Sequence, residues 1–235
     1  MPKKITHIIY DMDGLLLDTE PFYTIAAQEV TARFGKEFAP SLKVKMMGRR
    51  AEVSAKILVE ALALPITPKE YLEMRGEILL KLFPTSKPRP GAKEITGQGK
   101  SLGIRQAVAT STSRENYALK TGHHKEWFDL FDAIITGDDK ELHRGKPAPD
   151  IFLLAAARLG AEPANCLVFE DSPIGVEAAI AAGMKTVAIP DSSLGIDIGQ
   201  FTKADIVLNS LEEFNFSEWF PDIKDMEEYT ELYSK

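Results

Sequence analysis

The chain has 235 residues, enough for one large domain or for a domain carrying a smaller inserted one. Hydrophobic residues make up 44% and charged residues 27%, which excludes the disordered and fibrous classes. With 28 Lys plus Arg against 35 Asp plus Glu the net charge is −7. That argues against a general nucleic-acid binder, which needs a basic face, but leaves a small phosphorylated ligand open, since one local cation suffices.

The first apolar run, Ile5–Tyr10, follows two lysines directly, with no hydrophobic leader and no small-residue cleavage site. It predicts a strand, and the expected compartment is the cytoplasm. From Asp18 to Phe83 the pattern is helical only: Thr24–Phe34 and Arg50–Leu62 carry apolar residues at helical spacing. Pro68, followed by Tyr71, Leu72, Met74, Ile78, Leu79 and Leu82, predicts a third helix, and Pro84, Pro88 and Pro90 make a stiff return link. Residues 18–84 therefore read as a helical insertion, with residues 1–17 and 85–235 forming the surrounding domain.

Beyond the link the rhythm becomes strand and helix. Ala92–Lys100 predicts a helix, and Ile104–Ala109 and Ala133–Thr136 predict strands. A helix over Ile151–Leu159 leads to a strand at Cys166–Phe169. Then come a helix over Val176–Ala182 and strands at Thr186–Ile189 and Ile206–Leu208. The strand runs are short and lack polar alternation, as in parallel strands buried on both faces. The fold expected is α/β, a doubly wound, Rossmann-like parallel sheet with an inserted helical domain. No apolar run reaches the ~18 residues of a membrane span. The single cysteine, Cys166, excludes an internal disulfide and a multi-cysteine metal site, and its apolar neighbours predict a buried thiol. Asp222–Lys235 is an acidic tail.

Two further features carry no chemistry. Gly97-Gln98-Gly99-Lys100-Ser101 mimics the end of a phosphate-binding loop, but Glu94 stands where the first glycine belongs and no strand precedes it. His7, His123, His124 and His143 show no metal-ligand spacing.

In open α/β sheets ligands bind at the carboxyl ends of the strands. Asp11-Met12-Asp13-Gly14, Thr110-Ser111-Thr112, Lys146-Pro147 and Glu170-Asp171 each follow a predicted strand or lie in the loop after one. Four carboxylates on one rim require a cation, and hard oxygen ligands without Cys or His select Mg²⁺. Lys146 supplies a second positive charge, and Thr110 and Ser111 offer hydroxyl and backbone donors to phosphate oxygens. Aspartates at i and i+2, which face the same way on an extended strand, suggest a division of labour. One attacks phosphorus and the other moves the proton. Gly14 lets the chain turn away without a Cβ clash.

This ordered set resembles the four motifs of the haloacid dehalogenase (HAD) superfamily, and the insertion after the first motif resembles its C1 cap. The resemblance implies Asp11 as nucleophile and Asp13 as acid and base. It implies phosphate contacts at Thr110 and Lys146, with Mg²⁺ held by Asp11, the Asp13 carbonyl and Asp171 and supported by Glu170. An acid at position 13 is similar to phosphatases and phosphomutases, since dehalogenases lack it and P-type ATPases carry Thr there.

Against mutases of the β-phosphoglucomutase type, Tyr23 stands where a histidine is usual. Ala51 replaces the cap arginine, although Arg49 or Arg50 could substitute for it. More closely, Asp11–Glu20, Lys45–Arg50, His124–Phe128, Gly137–Asp139, Gly145–Asp150 and Val168–Met184 resemble the eukaryotic pseudouridine-5′-phosphatase group. Enzymes known as glycerol-3-phosphatase or FMN hydrolase lie in the same neighbourhood, and the likeness runs from Ile5 to Trp219.

The expectation is a Mg²⁺-dependent monomeric phosphatase of a small phosphorylated metabolite, pseudouridine 5′-phosphate first, with neither nucleic acid nor membrane as partner. Arg49, Arg50 and Tyr23 are the candidate cap contacts. Each motif also has a plain reading. Asp11 and Asp13 would make a strand-end turn, and Thr110–Ser113 and Asp171 or Ser172 would make helix N-caps. Lys146, Arg49 and Arg50 would be solvated charges, and Tyr23 would be a packing residue. A sugar phosphomutase and a non-catalytic sensor of phosphorylated metabolites are the alternatives.

Overall fold

The computed structural model describes residues 4–46, 49–191 and 197–221. Met47 and Gly48 of the cap motif and the acidic tail Asp222–Lys235 lie outside the described residues. The six strands are β1 (His7–Tyr10), β2 (Arg105–Ala109), β3 (Ala133–Ile135), β4 (Cys166–Glu170), β5 (Lys185–Ala188) and β6 (Ile206–Val207). The helices are α1 (Glu20–Ala32), α2 (Pro40–Met46), α3 (Ala51–Leu62), α4 (Pro68–Leu82) and α5 (Ala92–Ser101), followed by α6 (Arg114–Thr121), α7 (Lys125–Phe128), α8 (Asp150–Leu159), α9 (Pro173–Ala181) and α10 (Phe216–Trp219).

The strands form one parallel sheet in the order β3-β2-β1-β4-β5-β6, so each of the six apolar runs in the sequence is a strand. The chain winds outward from β1 to β3, then returns to β4 and winds the other way. The reversal lies between β1 and β4, where a ligand crevice opens in folds of this kind.

Two-residue periodicity sorts the side chains. Ile8, Tyr10, Val108, Leu167, Phe169 and Val187 enter one layer with α5 and the aromatic cluster around Trp127. Ile9, Ala107, Ala109, Ile135, Cys166 and Val168 enter the other, beneath α8 and α9. Covering both faces removes any need for polar alternation. Burial pushes the Cys166 thiol up to about 11, which leaves it a small apolar filler. Gly99 has a packing reason. A Cβ there would sit 2.7 Å from Gln106 Oε1. Gln106 in turn accepts from the Tyr10 hydroxyl at 3.0 Å and donates to the Thr96 carbonyl at 2.9 Å.

Helices α1–α4 bury a cluster of their own, built on Val30, Phe38, Leu42, Leu58 and Tyr71. Local signals set their limits. Ala63, left-handed at φ 48°, ends α3, and Thr67 and Glu70 form a reciprocal capping box ahead of Pro68 at the start of α4. Among the described residues no helix is long and apolar enough to cross a membrane.

Candidate active site

The first cluster grows from the ends of β1 and β4. The Asp11 N–H donates to the Phe169 carbonyl at 3.0 Å, carrying the ladder one residue past β1. The chain then turns, with the Leu16 and Leu17 N–H groups on the Met12 carbonyl and the Gly14 N–H on that of Leu17. Gly14 has φ 83°, and a Cβ on it would overlap Asp171 Oδ2. Glycine therefore lets the turn close and lets the Asp171 carboxylate approach it.

The strand ends at Tyr10, Asp11 extends its ladder by one residue, and Asp13 makes an isolated β-bridge with Leu17. Both line the same cavity, but each carboxylate rests on its own lysine. Lys146, 5% exposed and joined to Pro147 by a cis peptide bond, donates to Asp11 Oδ1 and Glu170 Oε1, each at 2.5 Å. The other Glu170 oxygen accepts from the Ser172 N–H at 2.9 Å and its hydroxyl at 3.0 Å. Glu170 is thereby engaged on both oxygens. Burial drives Asp11 up to about 7 against the pull of Lys146. Burial, with Glu170, Asp11 and Glu20 as neighbours, pushes Asp171 well above the carboxylate range.

The second cluster centres on Asp13 and includes residues the motif reading missed. Oδ1 accepts from Thr19 Oγ1 and Lys120 Nζ, each at 2.5 Å. Oδ2 accepts from Thr112 Oγ1 at 2.8 Å and Thr110 Oγ1 at 3.3 Å. Burial opposes ionisation of Asp13, but Lys120 and the hydroxyls outweigh it and hold the carboxyl below its ordinary value. Lys120 sits in the last turn of α6, on one stripe with Tyr117 and Thr121, and that stripe is the one signal that could have found it. Its carbonyl accepts from the Ser86 hydroxyl, and the Ser86 carbonyl in turn meets His123 and His124 at 2.8 and 2.9 Å.

Thr110 and Ser111 follow β2 and line the cavity beside Asp11, Asp13 and Asp171. The cavity, about 510 Å³, has α1–α4 as its opposite wall. Tyr23, Arg49 and Arg50 all line it, as do Tyr71 and Arg75, which the sequence reading did not single out. The Tyr23 hydroxyl accepts from Lys120 at 2.7 Å, and Arg49 Nε donates to the Lys45 carbonyl at 3.0 Å. The Arg50 side chain fills the space where a Cβ of Gly145 would stand, so it bridges the insertion to the loop carrying Lys146. The Arg75 guanidinium lies 5.7 Å from the Tyr23 ring and 5.6 Å from the Tyr71 ring. Arg50 Nε, Arg75 Nε and the Tyr71 hydroxyl are buried without a hydrogen-bond partner among the described residues.

Arranged this way, the site sets Asp11 and Asp13, each on its own lysine, beside Asp171 on one cavity. A family model for haloacid dehalogenase-like hydrolases matches residues 5–183. The (DL)-glycerol-3-phosphatase 2 of Arabidopsis thaliana is 46% identical over 92% of this chain and 91% of its own length. The "Probable pseudouridine-5'-phosphatase" of Drosophila melanogaster is 40% identical over 90% and 92%. Among solved structures, CbbY from Rhodobacter sphaeroides in complex with phosphate superposes with TM-score 0.74 at 27% identity, covering 89% of this chain and 96% of its own. The chain belongs to the haloacid dehalogenase-like hydrolases.

Proposed function

We propose that the chain is a Mg²⁺-dependent phosphomonoesterase working through an aspartyl phosphate on Asp11. The observation that carries the reading is the pair of aspartates at the reversal of the sheet, Asp11 buried and Asp13 half-buried, each on its own lysine. In the first half-reaction Asp11 bonds phosphorus and the phosphorus–oxygen bond to the alcohol breaks, while Asp13, ionised in the free site, takes a proton from the incoming monoprotonated phosphate group and passes it to the departing oxygen. In the second, water attacks phosphorus, its proton passes to Asp13 and on to the departing phosphate, and the electron pair of the broken bond returns to the Asp11 carboxylate. The sum is ester plus water giving alcohol plus phosphate. Lys146 and the Thr110 and Ser111 donors would hold phosphoryl oxygens.

The donor set fits Mg²⁺. Mg²⁺ ordinarily takes only one or two carboxylates beside substrate and water, and Asp11 and Asp171 line the cavity together. Asp11, the Asp13 carbonyl and Asp171 would hold it, with Glu170 anchoring Lys146 behind them. The surplus negative charge around Asp171 supports a cation there. When bound, the ion neutralises charge developing on the phosphoryl group.

Residues 18–84 would act as the cap that encloses the organic half of the substrate. We propose pseudouridine 5′-phosphate as that substrate, on the likeness to the 40% identical Drosophila relative, with Arg50, Arg75 and Tyr71 lining the cavity that would take its organic half. Glycerol 3-phosphate is the second reading, favoured by the 46% identical Arabidopsis relative. The test is phosphate release from these esters, uridine 5′-phosphate, FMN and glucose phosphates, with Mg²⁺ and with EDTA. Release that needs Mg²⁺ and vanishes in Asp11→Asn is expected. A folded chain that releases none overturns the reading and favours a mutase or a sensor.

A further inference from the structure

Lys120 is 0% exposed, and a buried ammonium is tolerable only when its charge and its hydrogens are matched. Its three hydrogens meet three acceptors: Asp13 Oδ1 at 2.5 Å, the Tyr23 hydroxyl at 2.7 Å and Thr112 Oγ1 at 2.8 Å. The rings of Phe83 at 4.5 Å and Tyr23 at 5.0 Å face the same nitrogen. The ammonium is therefore held from several sides, and it fixes one oxygen of Asp13 in turn. Its acceptors come from three places in the fold: the turn after β1, the loop after β2, and α1 of the insertion.

We propose that Lys120 is a positioning residue for Asp13, and that through Tyr23 it ties the placement of that carboxylate to the helical insertion. The proposal rests on the reading of Asp13 as the group that moves the proton. Asp13 as found accepts from four donors, and to reach a departing alcohol oxygen it must give up some of them. Thr110 and Thr112 belong to the loop beside the sheet, and Thr19 is the residue that caps α1. Lys120 is bonded to Tyr23 of the same helix, so a displacement of α1 reaches both donors on Asp13 Oδ1, through Lys120 by way of two hydrogen bonds.

The test compares kcat/KM for glycerol 3-phosphate or a nucleoside 5′-phosphate, whose alkoxide needs a proton to leave, with p-nitrophenyl phosphate, whose phenolate does not. This ratio reports the steps up to release of the alcohol. Lys120→Met is expected to lose about 10²-fold on the alkyl ester and under about 10-fold on the aryl ester. In an Asp13→Asn background the same change should cost less than about 3-fold, since its target is gone. Tyr23→Phe, which removes one hydroxyl, should show the same preference more weakly, and it carries the test if Lys120→Met does not fold.

Equal losses on both esters, or additive losses with Asp13→Asn, overturn the positioning role and leave the phosphomonoesterase reading standing. A wild-type chain that hydrolyses neither ester overturns both.

Discussion

The two walls of the cavity handle their polar groups in opposite ways. On the sheet wall three carboxylates are held by lysines: Asp11 and Glu170 share Lys146, and Asp13 accepts from four donors, Lys120 among them. On the helical wall Arg50 Nε, Arg75 Nε and the Tyr71 hydroxyl are buried with no partner among the described residues. An unpaired buried donor costs about 1–3 kcal/mol, which a bound acceptor would recover. The contrast separates a wall assembled before anything binds from one left incomplete until something does. Substitutions on the first should therefore cost stability as well as rate, and those on the second should cost binding alone.

The sharpest way to break this contrast is Lys146→Met. It strands two carboxylates, Asp11 and Glu170, in a site where the lysine is 5% exposed. Removing one partner of such a buried set costs about 3–5 kcal/mol. Urea unfolding should show that loss in the metal-free protein, and a value under about 1 kcal/mol would mean the sheet wall is not held by its charges. Gly14→Ala comes next. The new Cβ meets Asp171 Oδ2 at a backbone φ of 83°, so about 1–3 kcal/mol of strain is expected. Because the same clash displaces Asp171, the rise in Tm produced by Mg²⁺ should shrink as well.

A smaller effect follows from the charge on the sheet wall. Asp11 is pushed by burial to about 7 in the fold, against 3.8 in the unfolded chain, and Asp171 moves in the same direction. Between those values the folded protein binds a proton that the unfolded chain has lost, so stability falls as pH rises from about 4 to about 7. Lys146, raised from 10.5, is constant across that window, and Asp13, lowered from 3.8, is constant above about pH 5. Bound Mg²⁺ favours the ionised carboxylates, so its stabilisation should be larger near pH 8 than near pH 5.5. Thermal melts with Mg²⁺ and with EDTA at both pH values would check it. A gain that is flat or reversed would place the ion elsewhere.

How much of this could be read from the chain follows from where each residue's environment is decided. The strands were legible because burial on both faces leaves an unbroken apolar run, and Asp11, Thr110 and Asp171 followed because a parallel sheet puts ligands at its strand ends. Even there, β4 runs on through Glu170, because that residue pairs with Ala188 of β5, a contact no local pattern encodes. Lys120 was illegible for a related reason. A lysine in a polar helix is ordinarily solvated, and what buries this one is Phe83 and Tyr23, 37 and 97 residues away along the chain. Arg75 and Tyr71 read as surface and core of an amphipathic helix until the fold sets them against Tyr23 and the cavity.

Tyr71→Phe is the mildest change and the most discriminating. The side chain is fully buried, its ring packs among Val30, Phe38 and Leu58, and phenylalanine keeps all of that packing. Only the hydroxyl is lost, and it has no hydrogen-bond partner among the described residues. Unfolding free energy should therefore stay within about 0.5 kcal/mol of the wild type or rise slightly, unlike any substitution on the sheet wall. If substrate supplies the missing acceptor, KM should increase about 3- to 10-fold, the worth of one neutral hydrogen bond. The kcat should hold, because the contact is equally present in ground and transition states. A loss of stability would mean that the hydroxyl was already satisfied within the fold. An unchanged KM would mean that the substrate stops short of the helical wall, and the cavity would then be wider than its occupant.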